Sequence, residues 1–157
     1  MQNIDFFTGD NTGSLESFEF IPFTDVSNIP DAALGIIDSA VTLETDKAWY
    51  TAKATPDTLG YKEVSQQSEN GTSYKKEFVA FIPSDLPAIA NLFSEMENER
   101  FIIKYTDYEG RVKLVGSIEE PLQFKSDMNT QTDSSGRKGH FITFYGDGTF
   151  KSYFYSI

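Results

Sequence analysis

The sequence predicts a mainly β (α+β) domain, an antiparallel β-sandwich or barrel of about nine strands with one flanking helix. Short apolar or alternating runs are punctuated by clusters of Gly, Asn, Asp and Ser, the rhythm of strands and turns. Only Ser84 to Asn98 keeps a helical spacing of apolar residues. The 14 Phe, 8 Tyr and 1 Trp make up 15% of the chain, far too many for a disordered polypeptide. At 157 residues the length suits one domain, residues 1–157, without linker, repeat or low-complexity tract.

Residues 1–16 read as an irregular N-terminal arm. Ser17 to Phe23 places Phe18 and Phe20 on one face of an extended segment, and Pro22 makes it an edge or a strand end. Pro30 to Ser39 reads as a loop or a short helical turn, because Gly35 weakens the helical face of Ala33, Leu34 and Ile37. Two strand-like stretches between Ala40 and Thr55 surround Thr45-Asp46-Lys47, with Trp49 as the expected large anchor. Asn70-Gly71 is the strongest hairpin signal, joining Tyr61–Gln67 to Ser73–Ile82. In the second arm Tyr74, Lys76, Phe78, Ala80 and Ile82 face one way, and Lys75, Glu77, Val79 and Phe81 the other. The end of that arm is apolar on both sides, as in a strand between two packed layers.

The helix is expected to be capped by Ser84, to gain from Asp85 at its positive end and to tolerate Pro87 in its first turn. Leu86, Ile89, Phe93 and Met96 form its buried stripe, leaving Asn91, Glu95 and Glu97 in water. Arg100–Tyr105 and Arg111–Ser117 form a second hairpin in which Gly110 takes positive φ. Leu122–Ser126 begins another strand. Asp127 to Gly139 is a long polar loop, and Phe141–Tyr145 with Phe150–Tyr155 form a last aromatic hairpin around Gly146-Asp147-Gly148.

Charge and composition narrow the function. With 13 basic against 24 acidic residues the net charge is −11, which disfavours a grip on nucleic acid or an anionic membrane. The acids are uneven: residues 1–46 hold nine and no base. No cysteine and a single histidine exclude disulfides, thiolate sites and any metal site needing several imidazoles from one chain. No signal peptide or apolar run of membrane-spanning length is evident, so a virion or the bacterial cytoplasm is the expected location. Asn70-Gly71-Thr72 is formally a glycosylation sequon and reads better as a turn.

Candidate chemistry is thin. Asp107-x-Glu109-Gly110 and Asp10-Asn11-x-Gly13 echo calcium loops without the remaining oxygens of the motif. Glu119 and Glu120 are adjacent in an extended segment and diverge, and Glu95, Glu97 and Glu99 read as a solvated face. His140 lies near Asp133, Ser134 and Ser135, but no nucleophile elbow accompanies it. Glycine-rich phosphate loops and zinc-protease motifs are missing. The expectation is no catalytic residue, no metal and no cofactor.

From Tyr74 to Phe154 the order of elements resembles small tail proteins of tailed phages and prophages. The features are Tyr74-Lys-Lys-Glu-Phe-Val-Ala-Phe-Ile-Pro83, the helix Ser84–Asn98, the hairpin Phe101–Gly116, the phrase Glu120-Pro-Leu-Gln-Phe124, the polar loop and Phe141-Ile-Thr-Phe144. The resemblance implies a β-barrel or sandwich subunit that self-associates or docks to other virion proteins, with long loops reaching its neighbour. It also gives the acidity a use, since an acidic tail interior lets DNA slide past. On that reading Asp127, Asn129, Thr132, Asp133, Arg137 and Lys138 form the expected interface. The alternative is a monomeric β-sandwich that binds a small ligand or carbohydrate in a pocket lined by Trp49, Tyr145 and Tyr153.

Overall fold

The computed structural model describes residues 13–157. Twelve strands and one helix follow along the chain: β1 (Leu15–Pro22), β2 (Val26–Asn28), β3 (Ile36–Ile37), β4 (Thr42–Leu43), β5 (Tyr50–Thr51), β6 (Gly60–Ser68), β7 (Gly71–Ile82), α1 (Pro87–Met96), β8 (Arg100–Asp107), β9 (Val112–Val115), β10 (Leu122–Asn129), β11 (Gly139–Gly148) and β12 (Tyr153–Tyr155). Ten strands share one open sheet, and β2 pairs β4 in a small second sheet. The fold is mainly β and sandwich-like, and it is not a closed barrel. Nor is it wholly antiparallel, since β12 runs parallel to β3. The strands not expected from the sequence are the short β2 and β3.

The sheet doubles over at β8. One edge of β8 pairs β1, while the other pairs β10 at Arg100–Phe101 and β9 from Ile103 to Thr106. From that branch one layer holds β5, β1, β8, β9, β12 and β3, and the other holds β10, β11, β7 and β6. Phenylalanines fill the space between the layers: Phe18 meets Phe78 at 4.8 Å between ring centroids, and Phe124 meets Phe144 at 5.0 Å. The expected face of β1 holds, with Phe18 and Phe20 in this main core. On the far side of the first layer Ile21, Ile102 and Leu114 join Val26, Ile37 and Val41 in a second core roofed by the segment 23–49.

Two of the three expected hairpins form. Ser68 pairs with Gly71, whose φ of 116° closes the β6–β7 turn, and Gly110 at φ 79° closes β8–β9. Other expectations need correction. The helix begins at Pro87, with Leu86 extended (φ −92°, ψ 140°) as its N-cap and no side chain capping it. Proline drives the residue before it out of the helical region, so Leu86 cannot be a helical core residue and Ser84 lies too far upstream to cap. Leu86 is exposed, while Phe93 and Met96 are buried. Of the two readings for Pro30–Ser39 the loop holds, with a tight turn at Leu34-Gly35 and the short strand β3 after it. The two strand-like stretches around Asp46 are the short β4, which joins β2, and β5, which joins β1. The last aromatic hairpin does not form: β12 leaves β11 and pairs β9 and β3 in the other layer. The far face of β7 is not covered throughout, since Val79 is exposed and only Phe81 is shielded, by Phe141 at 4.9 Å. Finally, β10 runs to Asn129, so Asp127 and Asn129 are strand residues opposite Phe141 and Gly139.

One backbone feature stands out. Ala33 and Ile36 exchange backbone hydrogen bonds of 2.9 and 3.0 Å around Leu34-Gly35, whose φ values are 53° and 82°. A left-handed conformation suits Gly35 but costs a branched residue such as Leu34 about 1–2 kcal/mol.

Ile102 has no exposed surface and anchors the roof segment to β8. Ile102→Ala is expected to lower the unfolding free energy by about 2–5 kcal/mol in urea denaturation, the cost of a core cavity. A loss below about 0.5 kcal/mol would show that the second core is not packed as described.

Candidate interaction face

Strand alternation sends Gln123 and Lys125 of β10, Phe141, Thr143 and Tyr145 of β11, Lys75, Glu77 and Val79 of β7, and Lys62 and Val64 of β6 to the outer face of the second layer. Tyr145 sits opposite Gln123 and Glu77, Thr143 opposite Lys125 and Val79, Glu77 opposite Lys62, and Lys75 opposite Val64. Lys62, Val64, Lys75, Glu77, Gln123, Lys125, Thr143 and Tyr145 of this set, with Asp147, line a shallow depression of about 630 Å³. Val64, Val79, Phe141 and Tyr145 are each 36–45% exposed on this face, an apolar patch with no described layer above it. Tyr145 donates its hydroxyl hydrogen to Gln123 Oε1 at 3.3 Å, and Lys125 Nζ lies 5.9 Å from its ring. Lys62, Lys75 and Lys125 form no ion pair among the described residues. The depression therefore holds three exposed ammonium groups beside the carboxylates of Glu77 and Asp147. β6, at one end of the strand order, has no described partner beyond β7.

A second polar group lies on the inner face at the end of the sandwich. Lys76 is buried, and burial holds its ammonium pKa down against the opposing pull of Glu120 and Glu63. Glu63 accepts hydrogen bonds from the Tyr61 hydroxyl and from the Ser152 N–H, both at 2.8 Å. Glu120 accepts from the Thr149 N–H at 2.9 Å and from its hydroxyl at 2.7 Å. These carboxylates fasten the crossing from β11 to β12. A side chain at Gly148 would meet Glu120 Oε2 at 2.5 Å and Lys76 Nζ at 2.9 Å, the flexible ends of two side chains that would have to shift. Burial pushes the Tyr61 and Tyr105 hydroxyls well above their ordinary ionisation range, and the two rings pack at 5.1 Å.

The residues singled out from the sequence are scattered. Trp49 and Tyr153 pack on the second core, where Lys104 Nζ lies 4.8 Å over the indole, whereas Tyr145 is on the outer face of the other layer. These three do not line one pocket. Thr132, Asp133, Arg137 and Lys138 belong to the exposed connection between β10 and β11, while Asp127 and Asn129 precede it on β10. Lys138 pairs with Asp85 at 2.9 Å, and Asn129 Oδ1 accepts the Gln131 N–H at 2.8 Å. Asp133 is held below the usual carboxylate range by hydrogen bonds from Ser135. Asp107 serves its turn, accepting the N–H groups of Glu109 and Arg111 at 2.9 and 2.8 Å. Asp10-Asn11 lies outside the described residues. Glu97 accepts the Ser126 N–H and hydroxyl at 3.2 and 3.0 Å, tying α1 to the edge of β10. Among the described residues, no group of three or more His, Asp or Glu is placed to hold a metal ion.

His140 is buried at the helix end of the main core, edge-on to Phe93 at 5.0 Å, with neither ring nitrogen hydrogen-bonded. No described hydrogen bond links it to Asp133, Ser134 or Ser135. Sequence alternation along 73–82 identified the outward set on β7, but whether anything covered that face was not written in it. Leu34 was legible only as part of a weak helical face with Ala33 and Ile37.

Two outcomes follow from these groups. Stability should be complete below about pH 10 and fall above it, because the unfolded tyrosines ionise near pH 10 while Tyr61 and Tyr105 stay protonated in the fold. Lys76 acts oppositely, adding stability as pH approaches the ordinary lysine value of 10.5. Thermal melts from about pH 8 to about pH 11 should therefore fall at the alkaline end, more shallowly in Tyr105→Phe, and equal slopes for the two proteins would contradict this. His140→Leu is expected to raise the unfolding free energy by about 1–3 kcal/mol by removing a buried polar ring without partners. A decrease would show that the imidazole is hydrogen-bonded in solution.

No protein-family model, curated protein or solved structure matches the chain.

Proposed function

We propose that this protein is a non-enzymatic assembly subunit, a tail or other virion structural protein of a tailed phage or prophage, which binds copies of itself or neighbouring subunits. One observation carries the assembly reading: the two outer faces of the sandwich are treated differently. The outer face of β1, β8 and β9 is roofed by a full second core, whereas that of β10, β11, β7 and β6 has no described layer above it and carries four exposed apolar side chains. Exposed apolar side chains on a folded domain favour association, and the β6 edge beside them, with no described partner beyond β7, offers backbone groups to an incoming strand. The resemblance of Tyr74–Phe154 to tail proteins supplies the biological setting. Among the described residues no helix is long and apolar enough to cross a membrane.

The depression beside Tyr145 also favours a second reading, a module that takes a small ligand or carbohydrate there. Light scattering on a size-exclusion column separates the two. The wild type should gain mass with concentration up to about the millimolar range, where an association worth about 4 kcal/mol becomes visible. Val79→Lys, at an exposed site, should remain monomeric with a melting temperature close to wild type. A wild type that stays monomeric throughout would overturn the assembly reading and leave the ligand reading to be tested by titration with soluble glycans.

A further inference from the structure

We infer that Leu34 is a docking knob which enters the lysine-rimmed depression on the outer face of a second copy of this chain. The inference rests on the self-association proposed above and names its two surfaces. Leu34 is fully exposed at the tip of its turn, and it holds φ 53° in a position that would suit Asn or Gly. The turn thus places an apolar side chain in water and strains its backbone, with no described contact in the same molecule to offset either cost. Strained, exposed positions of this kind mark sites where a partner completes the structure. Asp31 and Asp38 flank the turn, both exposed, in a segment where residues 13–46 carry seven acids and no base.

The receiving surface has room for the knob and carries ammonium groups that suit its flanking carboxylates. Its volume of about 630 Å³ exceeds that of a leucine side chain, and Val64 and Tyr145 provide apolar walls. Lys62, Lys75 and Lys125 stand around it without ion-pair partners among the described residues, where they can meet Asp31 and Asp38 of the incoming copy. Glu77 and Asp147 also line the depression, leaving three exposed ammonium groups against two carboxylates there. The knob follows the acidic first strands and stands beside β3, whereas the depression reaches β6 at the opposite end of the strand order. The two surfaces differ, so the contact is head-to-tail, and its repetition gives a ring or a filament rather than a closed pair.

The test compares wild type with Leu34→Gly by light scattering and thermal melting. Glycine removes the knob and relieves the strained turn, so the expected result is association at least about tenfold weaker with a melting temperature equal to or above wild type. A second arm uses charge exchange: Lys62→Glu/Lys75→Glu and Asp31→Lys/Asp38→Lys should each be monomeric alone and should pair when mixed. Wild-type association that Leu34→Gly leaves intact, or mixed charge variants that stay apart, would overturn the knob while leaving self-association standing. A wild type that never associates would overturn both.

Discussion

The fold depends on β8 being buried on both faces. Phe101, Ile103 and Tyr105 enter the main core, and Ile102 enters the second. Two apolar faces give a strand little information about register, because a one-residue slip would still present hydrophobic side chains on each side. Lys104 removes that ambiguity. Its ammonium pairs with Glu19 at 2.6 Å and lies over the Trp49 ring on the side of the second core, so a slip would carry a charge in among the phenylalanines. One lysine therefore sets how β1, β9 and β10 meet the central strand, and the doubled sheet follows from those pairings.

The crossing from β11 to β12 is the next constraint. The two carboxylates that hold it, Glu63 on β6 and Glu120 before β10, come from separate segments and surround one buried lysine. Burying an ammonium is tolerable only near such partners. The arrangement sends β12 away from β11 and into the first layer, where the Tyr155 hydroxyl accepts the Val41 N–H at 3.1 Å and pins the roof segment. Covering one outer face thus uses the C-terminal strand that would otherwise have covered nothing but its own hairpin.

Local chemistry was readable and long-range pairing was not. Asn70-Gly71 and Gly110 announced their turns because each needs a backbone conformation that few residues adopt, and the faces of β1 and the inner face of β7 followed from a period of two. The same period cannot say which strand lies alongside, so β12 looked like the partner of β11 although it pairs β9 and β3. The helix was placed correctly and begun too early, since Pro87 was weighed as a tolerated first-turn residue and its effect on Leu86 was not. For the candidate face the limits are sharper. Alternation identified Lys75, Glu77 and Val79 as a set, but Tyr145, Lys125, Val64 and Lys62 join them only through cross-strand register, which no local pattern encodes.

Charge then selects how such a face can be used. A net charge of −11 makes random encounters between copies repulsive, and the acid-rich first third strengthens the repulsion at one end. The lysines around the depression create one place where that same acidic end is welcome. An apolar patch alone would accept any hydrophobic surface, whereas a patch ringed by ammonium groups rejects basic and apolar intruders that cannot satisfy them and admits a carboxylate-flanked knob. The acidity of the body and the lysines of the face act together: the first suppresses wrong contacts, and the lysines leave one orientation favourable.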